Sequence, residues 1–131
     1  MTPGLPISGV KCYIIGAMAE KILVVDDETL ILTAVERALV KVGYFIARAQ
    51  TMEELDEVLK DGPFDLLITD IYMEGGSLDE VIEKVRKTSP SIKVLKMSGA
   101  AGRGKTGHFI EKPFNIETLR KKVKDILNGS L

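Results

Sequence analysis

The sequence has a single cysteine and no long hydrophobic run, and each absence excludes a class of protein. Cys12 is the only cysteine among 131 residues, so the chain forms no internal disulfide and suits a reducing cytoplasm. No apolar run approaches the roughly 20 residues that span a bilayer. A net charge of -1 gives no general reason to bind nucleic acid or an anionic membrane. His108, the only histidine, has no second ligand type at metal spacing and is interpreted as a surface residue.

The overall amino-acid composition is typical of one folded domain. Hydrophobic residues make up 45% and charged residues 28% of the chain, as in a globular protein with a core. Residues 1–17 differ, because they contain two prolines and three glycines. We therefore predict an extension over residues 1–17, outside the core, and one domain over residues 18–131. An added edge strand from Lys11 to Ile15 is an alternative interpretation of the extension.

From Lys21 onward, short apolar runs alternate with segments of helical periodicity. This alternation predicts an α/β fold, with a parallel sheet covered by helices on both faces. The predicted strands are Ile22–Val25, Tyr44–Ala49, a run over Leu66–Ile68 that ends in Asp70, Ile92–Met97 and His108–Glu111. The predicted inner faces of three helices are Ile31, Ala34, Val35, Ala38, Leu39 and Val42; Leu78, Val81, Ile82 and Val85; and Ile116, Leu119, Val123, Ile126 and Leu127. A capping box over Thr51–Glu54 begins a further helix that runs to about Lys60.

Polar side chains stand at the carboxyl ends of four predicted strands, and these ends meet at one edge of a parallel sheet. They are Asp26, Asp27, Asp70, Ser98 and Lys112. Neighbouring carboxylates repel one another unless a cation lies between them, and hard oxygen ligands suit Mg²⁺. A lysine and a hydroxyl opposite the acids provide the charge and the hydrogen bond that a phosphoryl group requires. Asp70, ionised at neutral pH, can itself attack phosphorus and carry an acyl phosphate.

Four motifs carry a resemblance to a known family. The segments ILVVDDE (residues 22–28), DLLITDIYM (65–73), VLKMSGA (94–100) and HFIEKPF (108–114) resemble, in this order, the motifs of the response-regulator receiver domain of two-component signalling. The resemblance implies a flavodoxin-like, doubly wound sheet of five parallel strands in the order 2-1-3-4-5. It also implies a stand-alone signalling switch whose partner is a sensor histidine kinase or a phosphotransfer protein. Such a chain is not an enzyme toward other substrates, since it catalyses only its own phosphorylation and dephosphorylation.

The same resemblance assigns the acids their roles. Asp70 corresponds to the residue that accepts the phosphoryl group. Asp26, Asp27, Asp70 and the backbone carbonyl of Tyr72 correspond to the ligands of Mg²⁺, the expected cofactor.

The remaining site residues correspond to the switch of the family. Ser98 matches the hydroxyl that responds to the phosphoryl group, and Lys112 matches the lysine that contacts it. Phe109 matches the aromatic side chain that reorients when the hydroxyl moves. The peptide bond before Pro113 is expected to be cis.

Three positions and one segment depart from the family pattern, and the first position is Gly99, which replaces the alanine usual after the switch residue. Glu74 replaces a proline and adds negative charge near the site, and Lys96 occupies a strand position that is normally apolar. Only residues 99–107 separate the fourth and fifth strands, and four of these are glycine. Because glycine opposes helix formation, we predict that the helix expected here is missing or replaced by an irregular, mobile, Gly-rich loop. The sheet face would then be open, with the stem of Lys96 on apolar surface and its ammonium in water.

Two other functions fit parts of the sequence. Gly99–Thr106 matches the nucleotide-binding P-loop pattern, but a P-loop needs a helix that begins at its Lys-Thr pair. Here Gly107 and a strand follow at once, which disfavours nucleotide binding. A degenerate receiver that acts only as a protein-binding scaffold is the second alternative, and retention of all five site residues argues against it.

Overall fold

Five strands and four helices alternate along residues 19–99 and 107–129, the part of the chain that the computed structural model describes. The strands are β1 (Lys21–Val25), β2 (Phe45–Ala49), β3 (Leu66–Asp70), β4 (Lys93–Ser98) and β5 (His108–Glu111). The helices are α1 (Thr29–Val40), α2 (Met52–Val58), α3 (Leu78–Thr88) and α4 (Ile116–Leu127), and a short 3-10 helix over Leu59–Asp61 follows α2. Within these ranges no helix combines the length and the apolar character needed to cross a membrane.

All five strands form one parallel sheet in the order β2-β1-β3-β4-β5. The central strand, β3, is buried along its whole length, as expected of a strand with a neighbour on each side and helices on both faces. Ile22 of β1 pairs with Leu66 of β3, and Asp70 of β3 pairs with Met97 of β4. Since every strand runs in the same direction, their carboxyl ends meet at one edge. The predicted flavodoxin-like fold is confirmed.

Successive side chains of each strand enter two separate hydrophobic cores. Ile22 and Val24 pack with α1 and α4 on one face, whereas Leu23 and Val25 pack with α2 and α3 on the other. All four side chains are fully buried, and burial of an aliphatic side chain contributes about 1.5–3 kcal/mol. The two layers of helices therefore hold β1 on both sides, which determines where its carboxyl end lies.

Two helices present inner faces that differ from the predicted ones. The buried residues of α1 are Leu32, Val35, Ala38 and Leu39. Ala34 is exposed instead, and Val42 lies beyond the end of α1 with 48% of its surface exposed. Ile116 of α4 is also 48% exposed. Apolar residues occupy most of the circumference of α1, so their spacing alone does not specify how the helix is rotated on the sheet.

Side chains cap the starts of α2 and α3 in different ways. Thr51 Oγ1 accepts a hydrogen bond from the Glu54 backbone N–H at 3.1 Å, but the Glu54 carboxylate accepts from the Gln50 N–H at 2.7 Å. The predicted capping box of α2 is therefore half formed. A complete box begins α3, where Ser77 and Glu80 each accept a hydrogen bond from the other's backbone N–H. These bonds satisfy donors that a helix start leaves unpaired.

Two sequence predictions fall largely outside the described residues. The extension over residues 1–17 is not described, and neither is the central part, residues 100–106, of the predicted Gly-rich loop. Gly107 precedes β5 with a φ of +88°, a conformation that favours glycine. Lys96 is half-buried, and its Nζ lies 5.1 Å from the centroid of the Phe109 ring. The ammonium that we expected in water thus contacts an aromatic ring.

Candidate functional site

Three carboxylates meet at the carboxyl edge of the sheet. Asp26 follows β1 and Asp70 ends β3, and these residues are 0% and 8% exposed. Asp27 is the most exposed of the three. One oxygen of each carboxylate lies within 4.8 Å of the other two. The turn after β1 is held by Asp26 Oδ1, which accepts a hydrogen bond from the Glu28 backbone N–H at 2.8 Å.

The ammonium of Lys112 lies among these acids. Its Nζ is 2.9 Å from Asp26 Oδ2, 3.0 Å from Glu28 Oε1 and 3.3 Å from Asp70 Oδ2. The side chain is only 14% exposed, so little water lies between these charges. Lys112 follows β5, and the peptide bond between Lys112 and Pro113 is cis, as the resemblance implied. Residues from β1, β3 and β5 therefore form one charged cluster.

Burial and charge shift the pKa values of two members of this cluster. Burial is the largest influence on Asp26 and raises its pKa, although the Glu28 N–H and the Lys112 ammonium oppose the increase. Burial lowers the pKa of Lys112, but hydrogen bonds to Asp26 and Glu28 and the nearby charge of Asp70 outweigh it, so this pKa is raised overall. Lys112 is thus a permanent cation at neutral pH and partly offsets the charge of the acids.

The donor set fits a hard divalent cation. The carboxylates of Asp26, Asp27 and Asp70 are close enough together to share one ion, and oxygen ligands that leave room for water suit Mg²⁺. The loop after β3 borders these acids, because the Tyr72 N–H donates to Asp70 Oδ1 at 3.1 Å. The Glu74 backbone nitrogen lies 3.5 Å from Asp27 Oδ2. The role of the Tyr72 carbonyl as a ligand stays a prediction.

The predicted switch residues, Ser98 and Phe109, lie on β4 and β5, and Ser98 is at the carboxyl edge that carries the cluster. Ser98 ends β4 one residue beyond the register partner of Asp70 and is 2% exposed. Its backbone carbonyl accepts a hydrogen bond from the Lys112 N–H at 2.7 Å. Phe109 pairs with Lys96, two residues before Ser98, so all three lie on the same face of the sheet. The reorientation of Phe109 stays a prediction.

Glu28 and Gln50 belong to the site, although neither was predicted to be a site residue. Glu28 contributes the exposed acid that contacts Lys112. The unbroken acidic run after β1 is the sequence feature that could have indicated this role. Gln50 Nε2 donates to the Asp27 carbonyl at 3.2 Å and to Thr29 Oγ1 at 2.9 Å. These bonds connect the end of β2 to the turn that carries the acids. Nothing in the local sequence around Gln50 indicates this contact.

The residues after the P-loop-like segment argue against nucleotide binding. Most of Gly99–Thr106 lies outside the described residues, but its C-terminal flank does not. Gly107 has a positive φ and β5 begins at His108. A helix therefore does not continue from Thr106, although a P-loop requires one to bind phosphates at its amino end.

Known proteins with similar sequences support the resemblance to receiver domains. The family model described as response regulator receiver domain matches residues 22–124. Sporulation initiation phosphotransferase F of Bacillus subtilis is 31% identical over 120 residues, which cover 84% of this chain and 95% of that protein. The DNA-binding transcriptional regulator NtrC of Azospirillum brasilense is 30% identical, and the match covers 86% of this chain but 25% of that protein. The chain thus spans a quarter of that longer relative.

Solved structures show the same fold. A CheY-like response regulator receiver domain protein from Methanospirillum hungatei has a TM-score of 0.73 and 29% identity, covering 85% of this chain and 95% of its own. The chemotaxis response regulator CheY4 of Vibrio cholerae also has a TM-score of 0.73, with 28% identity, covering 83% of this chain and 99% of its own. With the family model matched over residues 22–124, these likenesses show that the chain belongs to the response regulator receiver domain family of two-component signalling.

Proposed function

We propose that the chain is a phosphorylation-activated switch that accepts a phosphoryl group on Asp70. The observation that carries the proposal is the position of Lys112 Nζ, 3.3 Å from Asp70 Oδ2 within a largely buried acid cluster. An ammonium in this position can form a charge-assisted hydrogen bond to a phosphoryl group on Asp70. The donor is the phosphohistidine of a sensor histidine kinase or a phosphotransfer protein.

The transfer is a displacement at phosphorus. A carboxylate oxygen of Asp70 attacks the phosphorus atom, and the P–N bond to the donor histidine breaks. An acyl phosphate forms on Asp70, and the imidazole leaves with the electron pair of the broken bond. The Tyr72 N–H, bound to Asp70 Oδ1, orients the attacking carboxylate. Asp26, Asp27, Asp70 and the Tyr72 carbonyl would hold Mg²⁺, which when bound would offset the negative charge at the site.

Ser98 and Phe109 convert the chemical change into a structural one. The Ser98 hydroxyl, at the carboxyl end of β4, donates a hydrogen bond to the new phosphoryl group. Phe109, on the same face of the sheet, then reorients and changes the surface near β5. Attack of water on the acyl phosphate returns the switch to its initial state, so the chain catalyses only reactions of its own aspartate.

Labelling with acetyl phosphate tests the proposal and separates it from the scaffold alternative. The wild-type chain should gain the mass of one phosphoryl group with Mg²⁺ and none with a chelator, because the acids repel an incoming anion. Asp70→Asn should gain none. Asp65→Asn is a matched control, since Asp65 precedes the other end of β3, and it should be labelled like the wild type. Equal labelling of Asp70→Asn would overturn the assignment, and an unlabelled but folded wild type would favour the scaffold.

A further inference from the structure

Gln50 contacts the turn that carries two of the proposed Mg²⁺ ligands. Its Nε2 donates a hydrogen bond to the Asp27 carbonyl at 3.2 Å. The N–H of the same peptide unit, which belongs to Glu28, donates to Asp26 Oδ1 at 2.8 Å. Both polar groups of this peptide unit are therefore bonded, one to Gln50 and the other to a proposed ligand. Rotation of the peptide unit would break both hydrogen bonds.

Three elements of the fold hold Gln50 in place. Ala49, the residue before it, ends β2 and is fully buried, and its carbonyl accepts a hydrogen bond from the Asp26 N–H at 3.2 Å. The Gln50 N–H donates to Glu54 Oε1 in the first turn of α2 at 2.7 Å. Its Nε2 also donates to Oγ1 of Thr29, the first residue of α1, at 2.9 Å. The sheet and two helices thus determine where this amide lies.

The directions of the carboxylates decide how well they can hold Mg²⁺. This ion requires nearly octahedral ligands at about 2.0–2.1 Å, whereas Ca²⁺ accepts variable geometry at about 2.3–2.6 Å. Because Asp27 carries the bonded peptide unit on its own Cα and Asp26 binds it through Oδ1, the orientation of the unit affects both carboxylates. We propose that Gln50 is a positioning residue that holds Asp26 and Asp27 in the geometry that Mg²⁺ requires. This inference rests on the metal site of the proposed function and adds a residue that tunes it.

Calorimetric titration with MgCl₂ and with CaCl₂ tests the positioning role. Gln50→Met keeps most of the length of the side chain but removes the amide that donates to the Asp27 carbonyl. We expect it to weaken Mg²⁺ binding about fivefold and Ca²⁺ binding less than about twofold. Asp27→Asn, which removes a ligand charge, should weaken the binding of both ions. An unchanged Mg²⁺ affinity in Gln50→Met, or equal weakening of both ions, would overturn the proposal.

Two control variants separate positioning from other effects of the substitution. Thr29→Val removes the second acceptor of the amide but leaves the bond to Asp27, so the Mg²⁺ affinity should change less than about twofold. Ser89 is 3% exposed, and its Oγ accepts a hydrogen bond from the Phe64 N–H just before β3, at the edge opposite the acids. Ser89→Ala should therefore lower the midpoint of urea unfolding and leave the Mg²⁺ affinity within about twofold. Weakening by either control as large as that by Gln50→Met would refute the proposal.

Labelling with acetyl phosphate at increasing MgCl₂ distinguishes this proposal from the proposed switch. Gln50→Met should need about fivefold more Mg²⁺ to reach half of its maximal labelling rate, and that maximal rate should stay within about twofold of the wild type. A lower maximal rate with an unchanged Mg²⁺ requirement would overturn the positioning role. If the wild type binds Mg²⁺ but is not labelled, the switch fails, and the calorimetric affinities alone decide the role of Gln50. Circular dichroism of each variant confirms that the fold is intact.

Discussion

Replacement of Lys112 by alanine tests the proposed metal site, because it removes a positive charge that would repel a bound metal ion. Lys112 Nζ lies 2.9 Å from Asp26 Oδ2 and 3.3 Å from Asp70 Oδ2. A cation on these oxygens would lie within about 5 Å of the ammonium, since Mg–O bonds are about 2.1 Å long. Repulsion between a unit charge and a divalent ion at that distance is about 1.7 kcal/mol in water. Allowing for screening by salt, we expect Lys112→Ala to bind Mg²⁺ roughly tenfold more tightly.

The same variant should lose stability when no divalent cation is present. Asp26 is fully buried and Asp70 is 8% exposed, and alanine would leave both without their cation. Removal of one partner from a buried ion pair costs about 3–5 kcal/mol. Because Asp26 and Asp70 keep hydrogen bonds to backbone N–H groups, we expect a loss near the lower limit, about 3 kcal/mol. Mg²⁺ should restore part of this free energy of unfolding.

Calorimetric titration with MgCl₂ measures the affinity directly, and urea unfolding with and without Mg²⁺ measures the stability. Lys121→Ala is the matched control, because it removes an equal charge from a side chain that is 78% exposed. Its Mg²⁺ affinity should match that of the wild type. Loss of Mg²⁺ binding in Lys112→Ala would refute the reasoning, since removal of a repelling cation cannot remove a ligand.

Three further substitutions test neighbouring contacts. Asp27→Asn should weaken Mg²⁺ binding about tenfold or more, because it removes one of the three clustered carboxylates; an unchanged calorimetric affinity would contradict this. Glu28→Gln should weaken Mg²⁺ binding less than about threefold and lower the free energy of unfolding by under about 1 kcal/mol, since its side chain is 61% exposed. A loss of Mg²⁺ affinity as large as that of Asp27→Asn would show that Glu28 is one of the ligands. Ser77→Ala should lower the free energy of unfolding by about 1 kcal/mol, because it removes the hydroxyl that accepts a hydrogen bond from the Glu80 backbone N–H in the α3 capping box. Urea unfolding measures that loss, and an unchanged midpoint would show that the cap contributes nothing.

The sequence alone was enough to predict the sheet and to locate the acids. The runs that became β1 and β3 are apolar at nearly every position, which is typical of strands buried on both faces. Asp26 and Asp70 interrupt these runs at their carboxyl ends, and parallel strands must bring such ends to one edge. Strand order and the cis bond before Pro113 came from the resemblance to receiver domains, since neither follows from local spacing.

Only the tertiary structure decided which side chains contact one another. Glu28 contacts Lys112 across 84 positions of the sequence, and Lys96 meets Phe109 because β4 and β5 pair in one register. The rotation of α1, which buries Leu32 rather than Ala34, was equally unpredictable from the spacing of its apolar residues. Local sequence patterns determine where strands and helices form and at which strand ends the polar residues lie. Register and rotation depend on how distant segments pack, and that packing is a property of the whole fold.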